Sequence, residues 1–168
     1  MIIVCPLNAV PRLVAEGNVS HVLGCLGPES PHPELGLAGA YHLRLTFHDI
    51  IDEMEGFQPP KREHVEKIVD FVDDWDQRGK LLIHCFAGIS RSTASAFTAM
   101  CMLNPQEDES VLAQELRSHS PVATPNRRMI AFADQILGRR GRMVEAVEMI
   151  GRGTEAFEGV IFNWKVVR

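Results

Sequence analysis

Two residues six positions apart, Cys85 and Arg91, bracket the segment Phe86-Ala87-Gly88-Ile89-Ser90 within LLIHCFAGISRSTASAF, residues 81–97. A thiolate is a strong nucleophile, and a guanidinium can hold two oxygens of a phosphate in its planar fork. The intervening side chains carry little bulk, so the backbone can curl tightly, with Gly88 free to take positive φ where the curve demands it. Amide hydrogens then converge into a nest which, with the positive end of a following helix, accepts a dianion of phosphate size. The same field favours thiolate at Cys85: a cysteine that titrates near about 8.5 when free is lowered by several units in such a setting. The pair alone is weak evidence, because a buried cysteine is most often a small core hydrophobe. The strength of the reading lies in the order strand, loop, helix around it.

That order has to come from the flanking elements. Leu81 to His84 is nearly all apolar, as suits a strand covered on both faces. Ile2 to Cys5, Val19 to Leu26 and Leu43 to Phe47 are further short apolar or branched runs bounded by Gly, Pro, Asn or Asp, and read as strands of the same sheet. From Lys61 to Gln77, Val65, Ile68, Val69, Val72 and Trp75 recur at three and four behind Pro59-Pro60, which predicts an amphipathic helix stopped by Gly79. After Arg91 the pattern is helical: Ser92 to Leu103, Glu109 to Ser118, a helix capped by Thr124 and Pro125 and closed by Gly138, and Met143 to Ile150. The tail 151–168 suggests an edge strand or a packed extended segment. The expected fold class is α/β, with a central, mostly parallel sheet of four to five strands flanked by helices and a helical C-terminal half. In open α/β sheets ligands bind beyond the carboxyl ends of the strands, which is where Cys85 falls.

Bulk properties bound the function. With 168 residues, 45% of them hydrophobic, the chain suffices for one core, so a single domain over 1–168 is expected. A net charge of −5 argues against a non-specific nucleic-acid binder, whose affinity rests on neutralising phosphates. Residues 49–78 hold ten acidic against four basic side chains and residues 117–168 nine basic against five acidic, a split that solvated helix faces explain. The N-terminal MIIVCPLNAV has no basic leader, Pro6 interrupts its apolar run, and no window of about 18 apolar residues appears, so the expectation is a cytoplasmic protein without a membrane partner. In that compartment Cys5, Cys25, Cys85 and Cys101 are expected as free thiols. No metal or cofactor is expected: the cysteines are too widely spaced for a zinc pattern, and His21, His32, His42 and His48 show no metal-ligand spacing.

The string HCFAGISRS, residues 84–92, resembles the signature of the cysteine-dependent protein tyrosine phosphatase superfamily: His-Cys, five residues, Arg, then Ser or Thr. The flanking LLIH and TASAF resemble its compact dual-specificity branch and bacterial relatives, and a looser similarity runs from about Val19 to Gly138. The resemblance implies that Cys85 attacks phosphorus to form a phosphocysteine that water then hydrolyses, with Arg91 binding the phosphate. It implies that Ser92 helps the thiolate leave and that His84 holds the cysteine loop by hydrogen bonds. Relatives place a general-acid aspartate on a loop after a strand, some thirty residues before the cysteine. Here HLRLTF leads into His48-Asp49, which makes Asp49 the first choice; Asp52 follows because its separation of 33 residues is nearer that of small relatives, and Glu53 and Glu55 come behind. The plain alternative for each carboxylate is a solvated loop. Asn126 in Thr124-Pro125-Asn126 matches a segment near the phosphate loop and could support it, with helix capping as the plain alternative.

The loop residues Phe86, Ala87, Gly88 and Ile89 include no lysine, unlike the loops of relatives that act on inositol lipids. The expected partner is therefore a phosphorylated protein or a small aryl phosphate, phosphotyrosine foremost and phosphoserine or phosphothreonine second; the sequence does not determine the oligomeric state. Three rivals stand beside this reading. A rhodanese-like sulfurtransferase would need a shorter loop, an arsenate reductase of the low-molecular-weight phosphatase type would carry its cysteine near the N-terminus, and a phosphopeptide-binding module would usually lack the cysteine or the arginine.

Overall fold

The computed structural model describes residues 1–37 and 41–166; the last two residues of the tail expected to be extended, Val167 and Arg168, lie outside the described residues. Five strands, β1 (Ile2–Pro6), β2 (Val19–Leu26), β3 (His42–Thr46), β4 (Lys80–Cys85) and β5 (Phe162–Trp164), form one sheet in the order β3-β2-β4-β1-β5. β1 to β4 run parallel, and β5 closes the edge antiparallel to β1. The expected mostly parallel sheet is thus found, and the edge-strand reading of the tail holds for Phe162–Trp164. β1 and most of β4 are buried throughout, which is why these runs read as continuous apolar sequence with no alternation.

Six α-helices accompany the sheet. α1 (Val10–Ala15), entered through a 3₁₀ turn at Leu7–Ala9, was not foreseen; it is short, has Pro11 in its first turn and lacks a capping side chain. α2 (Arg62–Asp73) presents Val65, Ile68, Phe71 and Val72 to the core. It ends earlier than Gln77, because the chain turns there and Gln77 itself takes a positive φ of 59°. α3 (Arg91–Leu103) is buried almost all round, from Arg91 through Cys101, and packs between the sheet and α2, α4 and α5. Its small residues permit that close approach, and its buried hydroxyls bond within the helix: Ser95 donates to the Arg91 carbonyl at 2.8 Å and Thr98 to that of Ala94 at 2.8 Å. Phe97 at its centre is fully buried, worth about 1.5–3 kcal/mol in removal from water.

α4 (Glu109–His119), α5 (Arg127–Ile136) and α6 (Arg142–Ile150) complete the helical half. The cap of α5 is Asn126, whose side chain accepts from the Met129 amide at 3.1 Å, rather than Thr124 and Pro125; Gly138 closes the helix at φ 65° as expected.

The sheet has unequal sides. Leu23, Cys25, Ile83 and Cys85 face the main core with α2 to α6, whereas Ile3, Cys5, Val22 and Leu82 face a smaller cluster with Val10 of α1 and the segment after β2. Alternation along β4 therefore sends Cys85 to the helical side and its neighbour His84 to the other.

Candidate active site

Cys85 is the last residue of β4, and Arg91 is the first of α3, so the five residues between them bridge strand end and helix start. The carbonyls of this loop are turned outward and held by its surroundings. Phe86 O accepts from the Leu7 amide at 3.0 Å, Ala87 O from Gly159 at 2.7 Å, Ile89 O from Thr124 at 2.9 Å, and Ser90 O from Ala94 at 2.9 Å. With its acceptors tied outside, the loop keeps its donors for the interior: the Gly88 amide donates to Cys85 Sγ at 3.2 Å. Gly88 has φ 74°, and a Cβ there would lie 2.8 Å from the Pro6 nitrogen, so glycine is needed both for the turn and for the contact with β1.

The thiol also lies 3.2 Å from Ser92 Oγ, which is fully buried in the first turn of α3. Cys85 is set apart from the other cysteines by these polar neighbours. Burial, the nearby Cys85 adding to it, pushes the Cys5 thiol up to about 12; burial likewise raises Cys25 to about 12, against a weak pull from Ser95, and raises Cys101 strongly. Those three are inert core thiols at neutral pH.

Arg91 is buried, with one guanidinium nitrogen donating to the Phe47 carbonyl at 2.7 Å. Its Nε has no hydrogen-bond partner and lies 4.0 Å from Asp49 Oδ2. An unpartnered buried donor on a cation is costly, and an anion in the loop would satisfy it. Asp49 stands just beyond β3 on the facing loop. Its Oδ1 accepts from Ser90 Oγ at 2.7 Å and from Asn126 Nδ2 at 2.8 Å, which leaves Oδ2 as the oxygen nearest Arg91. Asn126 caps α5, and its side-chain amide donates to the acidic loop at Asp49 and Ile50 rather than to the phosphate loop. Asp52 is exposed, as are Glu53 and Glu55, and Glu53 pairs with Arg128 at 3.3 Å.

No family profile matches the chain. Dual specificity protein phosphatase 15 of Mus musculus is 27% identical over 117 residues, which are 69% of this chain and 45% of that protein. A MAP kinase phosphatase with leucine-rich repeats, protein 2 of Dictyostelium discoideum, is 28% identical over 100 residues, 60% of this chain and 13% of that protein. The chain thus spans less than half the length of these curated relatives. Among solved structures, Cydia pomonella PTP-2 phosphatase superposes with a TM-score of 0.61 at 20% identity, covering 80% of this chain and 84% of that one. Human DUSP28 gives 0.61 at 20% identity over 83% and 89%.

In sequence the chain is similar to dual specificity protein phosphatases, and its fold is that of solved protein tyrosine phosphatase and dual-specificity phosphatase structures.

Cys85, Arg91, Ser92, Asp49 and Asn126 come together, while His84 differs from expectation: it is fully buried beside the Cys85 backbone, yet neither ring nitrogen has a hydrogen bond of ordinary geometry. Burial pushes its imidazole down to about 4, so the ring is neutral. Residues that the sequence reading missed brace the Cys85–Arg91 loop from outside. A Cβ on Gly159 would lie 2.5 Å from the Gly88 carbonyl oxygen, so the tail is packed directly onto the loop. Arg117 holds the start of that tail, donating to the carbonyls of Pro121, Ala123, Ile150 and Gly151 at 2.7–3.2 Å. The only sequence signal for this bracing was the glycines of the tail.

Proposed function

We propose that this protein hydrolyses phosphate monoesters on phosphorylated proteins, phosphotyrosine foremost, through a phosphocysteine intermediate. The observation that carries the reading is the unpartnered, buried Nε of Arg91 at the end of a loop whose Phe86, Ala87 and Ile89 carbonyls are bonded to segments outside it. Cys85 Sγ attacks phosphorus, forming the S–P bond as the ester P–O bond breaks, and Asp49 gives a proton to the departing oxygen from Oδ2. Water then attacks phosphorus while giving a proton back to the Asp49 carboxylate, the S–P bond breaks, and the leaving sulfur takes a hydrogen bond from Ser92 Oγ as inorganic phosphate forms. Arg91 and the loop amides hold the equatorial oxygens through both steps.

A phosphoprotein substrate is supported by the protein phosphatases to which the chain is similar. The preference for an aromatic ester rests on the absence of lysine in the loop and on exposed Phe86 and Ile51, carried by the two loops that the Ser90–Asp49 bond joins. The four cysteines are unpaired, which fits the cytoplasmic location read from the sequence. Among the described residues no helix is long and apolar enough to cross a membrane.

The test is hydrolysis of p-nitrophenyl phosphate and of a phosphotyrosyl peptide by the purified protein with no divalent ion added. Cys85→Ser is expected to abolish turnover while phosphate-analogue binding persists. Full activity in Cys85→Ser, or an absolute requirement for an added ion, would overturn the mechanism.

A further inference from the structure

On the face of the sheet opposite Cys85, three histidines from separate places in the sequence meet. His42 opens β3, His84 precedes Cys85 in β4, and His32 comes from the segment that follows β2. One nitrogen of each lies within 4.8 Å of the other two. His42 and His84 are buried and His32 is partly so; His32 Nδ1, His42 Nε2 and both nitrogens of His84 have no hydrogen-bond partner. Sequence spacing could not reveal this set, because the parallel register builds it: Gly24 of β2 pairs with His84 on one side and with Arg44, two residues beyond His42, on the other.

Gly24 makes the room. A Cβ there would lie 2.6 Å from His84 Nε2 and 3.0 Å from His32 Nδ1, so these two orphaned nitrogens share the space its missing side chain leaves. Four buried ring nitrogens without a hydrogen bond of ordinary geometry are costly in a protein interior, where buried polar groups are normally satisfied.

We propose that His32, His42 and His84 form a binding site for a divalent transition-metal ion of the zinc class. Three neutral imidazoles are a common donor set for such ions, with a fourth position left to water. His32 already has the outer partner that a ligating histidine needs: its Nε2 lies 3.2 Å from the Leu45 carbonyl, which leaves Nδ1 with a free lone pair. With Zn–N bonds of about 2.0–2.1 Å, tetrahedral geometry sets nitrogens about 3.3 Å apart, so shifts of roughly 1 Å complete the set. His32, partly exposed on its segment, supplies the entry path.

One contact opposes the site and makes it testable. Arg44 Nε donates to His42 Nδ1 at 3.3 Å, which favours a proton on Nε2, whereas metal on Nε2 requires the proton on Nδ1. Binding therefore breaks this contact while Arg44 keeps its two 3.1 Å bonds to Glu34.

The experiment titrates chelator-stripped full-length protein with Co²⁺ and Zn²⁺, reading the cobalt visible spectrum, binding heat and thermal midpoint. The expected result is one ion per chain, a raised midpoint and a four- or five-coordinate cobalt spectrum without a thiolate charge-transfer band. Binding is retained in Cys85→Ser and strengthened in Arg44→Ala. His32→Ala, on its partly exposed segment, keeps the fold and weakens binding by more than the roughly 10–100-fold that loss of an outer partner costs; His42→Gln does the same. Absence of stoichiometric binding, or binding lost in Cys85→Ser and kept in His32→Ala, would overturn the assignment. Neither outcome touches the phosphatase reading, which routes no step through the ion.

Discussion

Ser90 Oγ donates to Asp49 Oδ1 at 2.7 Å, joining the phosphate loop to a residue 41 positions earlier and leaving the other carboxylate oxygen beside Arg91. This bond distinguishes Asp49 from Asp52, which is exposed three residues further along. Asp49→Asn is expected to lower kcat by about 10²–10⁴-fold for alkyl or unactivated aryl esters, and much less for p-nitrophenyl phosphate, whose leaving group needs little protonation. Asp52→Asn should stay near wild type. A leaving-group series on both variants checks the assignment, and the reverse pattern would transfer the role to Asp52.

Ser92 Oγ lies 3.2 Å from the thiol, and the role proposed for it is confined to the second step. A hydrogen bond to a charged group contributes about 1.5–3 kcal/mol, which corresponds to roughly 10–100-fold in rate. Ser92→Ala should therefore slow breakdown of the phosphocysteine by that factor while the first step proceeds. Stopped-flow release of p-nitrophenol should then show a burst equal to the enzyme concentration, and trapped protein should carry phosphate on Cys85.

Gly159 touches the loop from the far end of the chain. Gly159→Ala places a methyl where the Gly88 carbonyl stands, so the loop must shift by a fraction of an ångström or more. A misplacement of that order at a reacting centre can cost up to about 100-fold in kcat/KM. Circular dichroism and the thermal midpoint should remain close to wild type, which would separate a displaced loop from an unfolded chain.

Glu109 caps the largest buried ion network outside the site, pairing with Arg139 at 3.1 Å and Arg142 at 2.9 Å. Burial alone would raise its carboxyl, but the bonds from Arg142 and the charge of Arg139 outweigh it and hold the group below its usual range. Because the folded value is the lower one, this contribution is complete above the unfolded carboxylate range and is lost as pH falls through the folded value. Glu109→Ala leaves buried Arg139 uncompensated and should destabilise by about 3–5 kcal/mol at neutral pH. Urea unfolding from neutral pH downward should show the variant losing less on acidification than wild type.

Burial pushes Cys5 and Cys25 up to about 12 and raises Cys101 further, so iodoacetate near pH 7 should label Cys85 alone. Peptide mapping after brief exposure checks this, and phosphate should protect. Labelling of Cys5 in the native protein would contradict the packing described for β1.

How much of this was legible depended on the sequence distance over which each feature is written. β2 was read to its exact ends because Gly17-Asn18 and Gly27-Pro28 bound its largely apolar run, and the Cys85–Arg91 loop was visible because its parts are contiguous. α1 was not, since six residues give too few turns for a periodic signal. The acid loop could be placed only by resemblance, and what selects Asp49 structurally are donors 41 and 77 residues away. The bracing by Leu7 and Gly159 and the gathering of His32, His42 and His84 are products of strand order and register, which no local pattern encodes.

His84 and Cys85 are consecutive but point to opposite sides of β4, so one strand serves both faces of the sheet. The frame of that strand is correspondingly intolerant of length changes: inserting or deleting one residue between Lys80 and His84 would exchange the two sides, delivering sulfur to the histidine pocket and an imidazole to the phosphate cradle. Both chemistries would fail in one step although the cysteine and the histidine are both still present.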